Sequence, residues 1–105
     1  MIISGNDDHT INLFDIKSGK IVKHFKAHEN EVSCLDVNLE YGLIASGGDD
    51  GSVRLWDLRS LRCGGESSLH CQKFNNSIFD VKFHTSIKVL ATAGADHTSK
   101  VFCFD

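Results

Sequence analysis

The chain has 105 residues, with 11 Lys and Arg against 14 Asp and Glu, a net charge of −3. That balance lacks the basic field that holds a protein to nucleic acid, and 41% hydrophobic with 24% charged residues is the make-up of a folded chain, not a disordered one. No apolar run nears the roughly 20 residues of a membrane span, Met1-Ile2-Ile3 is too short for a signal peptide, and proline is absent where a chain of this length averages about five.

In chain order, the first patterned segment is Ile3-Ser4-Gly5-Asn6-Asp7-Asp8-His9-Thr10-Ile11-Asn12-Leu13-Phe14-Asp15. A basic stretch follows, with Lys17, Lys20, Lys23, His24 and Lys26. Val32–Val37, Leu43–Ser46 and Ser52–Asp57 are short runs rich in β-branched and apolar residues, which predict strands. Gly47-Gly48-Asp49-Asp50-Gly51 separates the last two and is turn chemistry. Ser77–Phe83 and Ala91–Cys103 are the remaining patterned segments, and no helix-period segment of useful length is present.

These pieces repeat. Ala45–Asp57 lines up with Ile3–Asp15 and with Ala91–Cys103: Asp8 to Asp50 and Phe14 to Trp56 are 42 residues apart, and Asp50 to Asp96 and Trp56 to Phe102 are 46 apart. Glu31–Val37 matches Ser77–Phe83 at the same spacing of 46. One register therefore covers nearly the whole chain. It predicts an all-β fold, and the missing proline fits, because proline removes a ladder donor and is expelled from paired strands.

A unit of 42 to 46 residues, with Ala27-His28 near its start and Trp56-Asp57 near its end, resembles a WD40 repeat. That family's unit of about 40–45 residues supplies four strands of a propeller blade. The resemblance implies a buried hydrogen-bonded tetrad, which falls here on His28, Ser46, Asp50 and Trp56. Ala27 stands where the family's pattern has glycine. The flanking units match only in part. The first keeps Ser4 and Asp8 but has Phe14 for tryptophan; the third keeps Thr92 and Asp96 but has Phe102 for tryptophan, Phe74 for histidine and Cys103 for aspartate. Phenylalanine donates no hydrogen bond, so these units are expected to rely on aromatic packing. On the family's strand order, residues 1–25 are expected to give strands b to d of one blade, 26–73 a complete blade, and 74–105 strands a to c of a third. Closed propellers have 4–8 blades, so the expected architecture is one complete four-stranded blade flanked by two partial ones, not a closed propeller. The chain reads as a fragment. If it is complete as given, self-association is the expected alternative.

The residues that invite other chemistry have simpler readings. Asp7-Asp8 and Asp49-Asp50 lack the alternating acids and distant glutamate of a calcium loop, and they read as tight turns. Cys34, Cys63, Cys71 and Cys103 contain no CxxC pair and read as free thiols. His70 and Cys71, the densest cluster with Cys63, are strand neighbours expected to point to opposite faces, which disfavours a shared metal ion. The sequon Asn75-Asn76-Ser77 has no role outside the secretory route. His9 and His97 occupy matching turn positions and are expected in solvent. Ser46, His28 and Asp50 imitate a catalytic triad, but a nucleophile elbow is absent. Gly47–Gly51 lacks the Lys-Ser/Thr of a phosphate loop. Lys17, Lys20, Lys23 and Lys26 read as charges that guard an edge strand.

The expected function is accordingly a non-catalytic protein–protein interaction scaffold, with no cofactor, catalytic residue or metal. Its partners would be other proteins or peptides, with no membrane and with nucleic acid not expected, and its location intracellular, in cytoplasm or nucleus. Trp56-Asp57-Leu58-Arg59 resembles the WDXR box of WD40 substrate receptors that dock on the DDB-type adaptor of cullin-4 ubiquitin ligases. This alternative makes Asp57 and Arg59 the partner-binding residues. A hydrolase or metal enzyme is the remaining alternative.

Overall fold

A computed structural model describes residues 2–64, 67–74, 76–85, 88–95 and 99–103, leaving out the side chains of Arg62, His70 and Phe102. Ten strands and one short helix follow one another: β1 (Ile2–Gly5), β2 (Thr10–Asp15), β3 (Lys20–Lys26), β4 (Val32–Asn38), β5 (Leu43–Gly48), β6 (Ser52–Asp57), α1 (Leu58–Arg62), β7 (His70–Lys73), β8 (Ile78–Phe83), β9 (Val89–Gly94) and β10 (Ser99–Cys103). They form three antiparallel sheets, β1-β2-β3, β4-β5-β6-β7 and β8-β9-β10. Among the described residues the result is a run of blades, four-stranded in the middle and three-stranded on either side, which does not close into a ring.

Packing follows the two-residue period of strands. In the middle sheet Ile44 and Trp56 are register partners on one face. They meet Ile11, Leu13 and Phe25 of the first sheet in one core. Ala45 and Leu55 are partners on the other face and, with Val53, meet Ile78, Val81 and Leu90 of the third sheet in a second core. Because β5 lies between two cores, five of its six residues are buried. It therefore reads as a continuous apolar and small-residue run instead of an alternating one.

The sequence repeat is also a repeat of backbone detail. β4 is bulged against β5 between Val32 and Cys34, and β8 against β9 between Ile78 and Asp80, the same positions 46 residues on. The Asp49 amide donates to the Glu31 carbonyl at 2.9 Å, and the Ala95 amide to that of Ser77 at 2.8 Å.

The helix α1 is an addition to the expected all-strand pattern. The Asp57 carboxylate caps it, accepting from the amides of Arg59 (2.9 Å) and Ser60 (3.3 Å). This satisfies two of the donors that a helix start leaves unpaired. Leu61 is 1% exposed and joins the core between the first two sheets, which anchors the turn. Two leucines, Leu58 and Leu61, in a five-residue helix are too few to set a readable period.

Candidate functional site

Four residues brought together by two loops and two strands make the most connected polar cluster among the described residues. His28 enters from the β3–β4 connection, Ser46 from β5, Asp50 from the β5–β6 turn and Trp56 from β6. His28 and Ser46 are fully buried, and Trp56 is 2% exposed. The indole Nε1–H of Trp56 donates to Ser46 Oγ at 2.9 Å. Ser46 Oγ lies 2.7 Å from His28 Nε2, and His28 Nδ1 lies 3.2 Å from Asp50 Oδ1. Donor and acceptor roles then follow from one another. The carboxylate requires a proton on Nδ1, so Nε2 is bare and accepts the Ser46 hydroxyl, whose oxygen accepts the indole.

Ser52 belongs to this cluster although sequence reasoning did not single it out. It is fully buried, and its hydroxyl donates to Asp50 Oδ1 at 2.7 Å and lies 2.7 Å from His28 Nδ1. The signal was present in the repeat: a hydroxyl stands two residues after the aspartate in all three units, as Thr10, Ser52 and Thr98. Arg54 is a second addition. Its Nη1 donates to the Ala27 carbonyl at 2.7 Å and so fixes the segment that carries His28. Gly48 makes room, because a β-carbon there would sit 2.6 Å from His28 Nδ1 and 2.7 Å from Asp50 Oδ1.

The electrostatics hold the imidazole neutral and the carboxylate charged. Burial pushes the His28 pKa down, and the Asp50 charge only partly opposes this. Burial alone would raise Asp50. Hydrogen bonds from the Ser52 amide and hydroxyl and the Glu29 amide overcome it, and bring Asp50 down to about 2. Near the same loops Glu31 is raised by a hydrogen bond to the Asp49 carboxyl and by the charges of Asp49 and Asp7.

The matching positions of the other sheets are less connected. Asp8 accepts from the Thr10 amide at 3.3 Å and from its hydroxyl, which lowers the Asp8 pKa. Ser4 is half-buried, and Phe14 lies half-buried on the outer side of the first sheet. Thr92 is 5% exposed, and Phe74, at the place of His28, packs against the second core. Asp96, His97 and Asn75 lie outside the described residues, as does the Phe102 side chain. His9 is half-buried with a positive φ of 74°, and its carbonyl accepts the Ala27 and His28 amides. The expected basic edge falls on β3, with Lys17 in the turn before it.

Asp57 and Arg59 are held by α1. The Asp57 carboxylate is occupied as its cap, whereas the Arg59 side chain is exposed and pairs with none of the described residues. An open depression of about 400 Å³, lined by Gly42, Leu58, Arg59 and Cys63, lies beside it. Cys34 is half-buried between the second and third sheets, where burial raises its thiol pKa; Cys63, Cys71 and Cys103 are exposed. Among the described residues no group of three or more His, Cys, Asp and Glu is placed to hold a metal ion, and no helix is long and apolar enough to cross a membrane.

The histidine, hydroxyl and indole of this chain sit in a repeating blade, and comparison with known proteins gives that unit its family. Residues 19–57 match the family model described as WD domain, G-beta repeat. This segment is a WD40 repeat. Over 100 residues, 95% of the chain, it is 41% identical to human Striatin-3 and 40% identical to human Striatin. It is 33% identical over 101 residues to a Striatin homolog of Dictyostelium discoideum. The chain spans only 12% to 13% of the length of these relatives.

Proposed function

We propose that the chain is a non-catalytic, intracellular WD40 scaffold that binds other proteins or peptides, and that residues 1–25, 26–73 and 74–105 are its three repeat units. The observation that carries this reading is the fate of the triad-like residues. His28 and Ser46 are fully buried, and the Ser46 oxygen is already engaged by the Trp56 indole. A nucleophile needs a substrate within reach of its oxygen, and this hydroxyl is wholly shut off from solvent. The cluster acts instead as a brace in which each buried polar group satisfies the next. What the rigid blades offer to partners is their loops. Capture of binding proteins with the wild-type chain and with Arg59→Ala tests the reading: a scaffold that binds through its other loops retains its partners in the variant. Turnover of ester or peptide substrates that disappears in Ser46→Ala would overturn it.

A second reading, docking on the adaptor of a cullin-4 ubiquitin ligase, is favoured by the exposed Arg59, which pairs with none of the described residues, on a capped and anchored helix. A planar guanidinium in that state is free to grip carboxylates or carbonyls. It predicts that the adaptor binds the wild-type chain and is lost selectively in Arg59→Ala.

A further inference from the structure

The basic stretch of the sequence falls on one sheet edge. Lys20, Lys23, His24 and Lys26 lie in β3, and Lys17 in the turn before it. These four lysines gather in one short segment of a chain whose net charge is −3. β3 pairs with β2 on one side, and no described strand pairs with its other side. That bare edge belongs to the blade itself, because β7 holds the same outer place in the four-stranded middle sheet. An edge strand presents a row of unpaired N–H and C=O groups that can receive another strand. At seven residues β3 is the longer of the two outer strands, against four in β7.

The register sorts the charges. Lys23 stands opposite Leu13 and Lys20 opposite Asp15, with a bulge between Leu13 and Phe14. Leu13 and Asp15 are two residues apart and share a face. The bulge therefore brings Lys20 and Lys23, three apart, to that same face. It is the face on which Leu13 and Phe25 meet the middle sheet. His24 and Lys26 take the other face, opposite Asn12 and Thr10. Lys23 Nζ donates to the Gly64 carbonyl at 3.3 Å, and Lys26 Nζ lies 3.2 Å from Glu29 Oε2. Among the described residues no carboxylate pairs with the ammonium of Lys20.

The same charges say what fits the edge. A second β3 laid antiparallel about Lys23 would set Lys23 against Lys23 and Lys20 against Lys26. Like charges directly opposite are destabilising, so a copy of this chain is the wrong occupant. Single-stranded nucleic acid needs aromatic faces for its bases, and Phe25 of β3 is 3% exposed. A strand with carboxylates on one face turns the row of lysines into favourable cross-strand pairs.

We propose that the outer edge of β3 receives an extended acidic segment of a partner protein as an added strand, with its carboxylates beside Lys20 and Lys23. Main-chain hydrogen bonds would hold the segment and the lysines would select it. The proposal names a partner chemistry for the scaffold reading and rests on it.

Fluorescence anisotropy of the full chain tests it, with a labelled peptide as long as β3 that alternates glutamate with threonine. The peptide is expected to bind, and to bind at least about tenfold more weakly when glutamine replaces its glutamates. N-methylation of one alternate set of its amides should abolish binding, and methylation of the other set should leave it, because only one set faces β3. Lys20→Glu and Lys23→Gln should each weaken binding severalfold, with circular dichroism showing the fold retained. A peptide that does not bind overturns the proposal, as does equal binding by its glutamine version or by both methylated forms. Tighter binding of poly-uridine RNA, weakened by the same Lys20→Glu, also overturns it. Partner capture that succeeds while this peptide fails overturns this proposal alone and leaves the scaffold reading standing.

Discussion

Ser46→Ala isolates the brace with little change of shape. The substitution removes one oxygen from a fully buried site and leaves no cavity large enough to matter. It does remove two hydrogen bonds, the 2.9 Å bond accepted from the Trp56 indole and the 2.7 Å bond donated to His28 Nε2. Two bonds at the average net worth of about 1 kcal/mol each would account for about 2 kcal/mol. The larger effect is that a buried N–H and a buried ring nitrogen are both left unpaired, at roughly 1–3 kcal/mol apiece. The expected loss is therefore about 2–6 kcal/mol, a large part of the stability of a small chain. Urea unfolding followed by circular dichroism measures it, because that signal does not depend on Trp56. The cycle with Trp56→Phe sharpens the argument. Phenylalanine has no N–H to strand, so adding Ser46→Ala to it should cost less than adding it to the wild type, by about 1 kcal/mol or more. A Ser46→Ala loss below about 0.5 kcal/mol, the range of ordinary surface changes, with strictly additive effects, would refute the brace.

Acid should destabilise the fold in two stages. The folded His28 pKa lies below its ordinary 6.5 and that of Asp50 at about 2 against 3.8, so the unfolded chain binds more protons than the folded one at both groups. Their contributions are complete above pH 6.5 and 3.8 respectively and are lost as pH falls through the folded values; denaturant midpoints that stay flat from neutral pH down to pH 3 would contradict this. Gly48→Ala should cost about 1–3 kcal/mol by forcing a methyl against His28 and Asp50, and an unchanged melting temperature would count against their close seating on that backbone. Asp57→Ala should cost about 1 kcal/mol through the lost helix cap, read as a lower urea midpoint, while Arg59→Ala should move that midpoint by no more than about 0.5 kcal/mol.

Much of the architecture was legible because it is periodic. The spacing of 42 and 46 residues tied three sets of weak strand signals into one register, and the strands expected at Val32–Val37, Leu43–Ser46 and Ser52–Asp57 are β4, β5 and β6 with small extensions. The helix α1 escaped because five residues held by a cap and one buried leucine have no periodicity to detect. Ser52 escaped for a different reason: in sequence it is a small polar residue after a glycine turn, and its link to Asp50 and His28 exists only once the turn brings it back beneath the imidazole. Arg54 was hidden in the same way, since a strand arginine reads as solvent-facing until the Ala27 carbonyl is found beside it. The division of apolar residues between two cores was not visible either, because in β5 both faces are buried and alternation disappears.

The most direct test of the brace is nitrogen NMR of the His28 ring with hydrogen exchange at the Trp56 indole. The expected result is an imidazole protonated at Nδ1 and bare at Nε2 at neutral pH, titrating below 6.5, beside an indole N–H that exchanges as slowly as the most protected amides. A ring that titrates near 6.5, beside an indole N–H that exchanges as fast as in the unfolded chain, would contradict it.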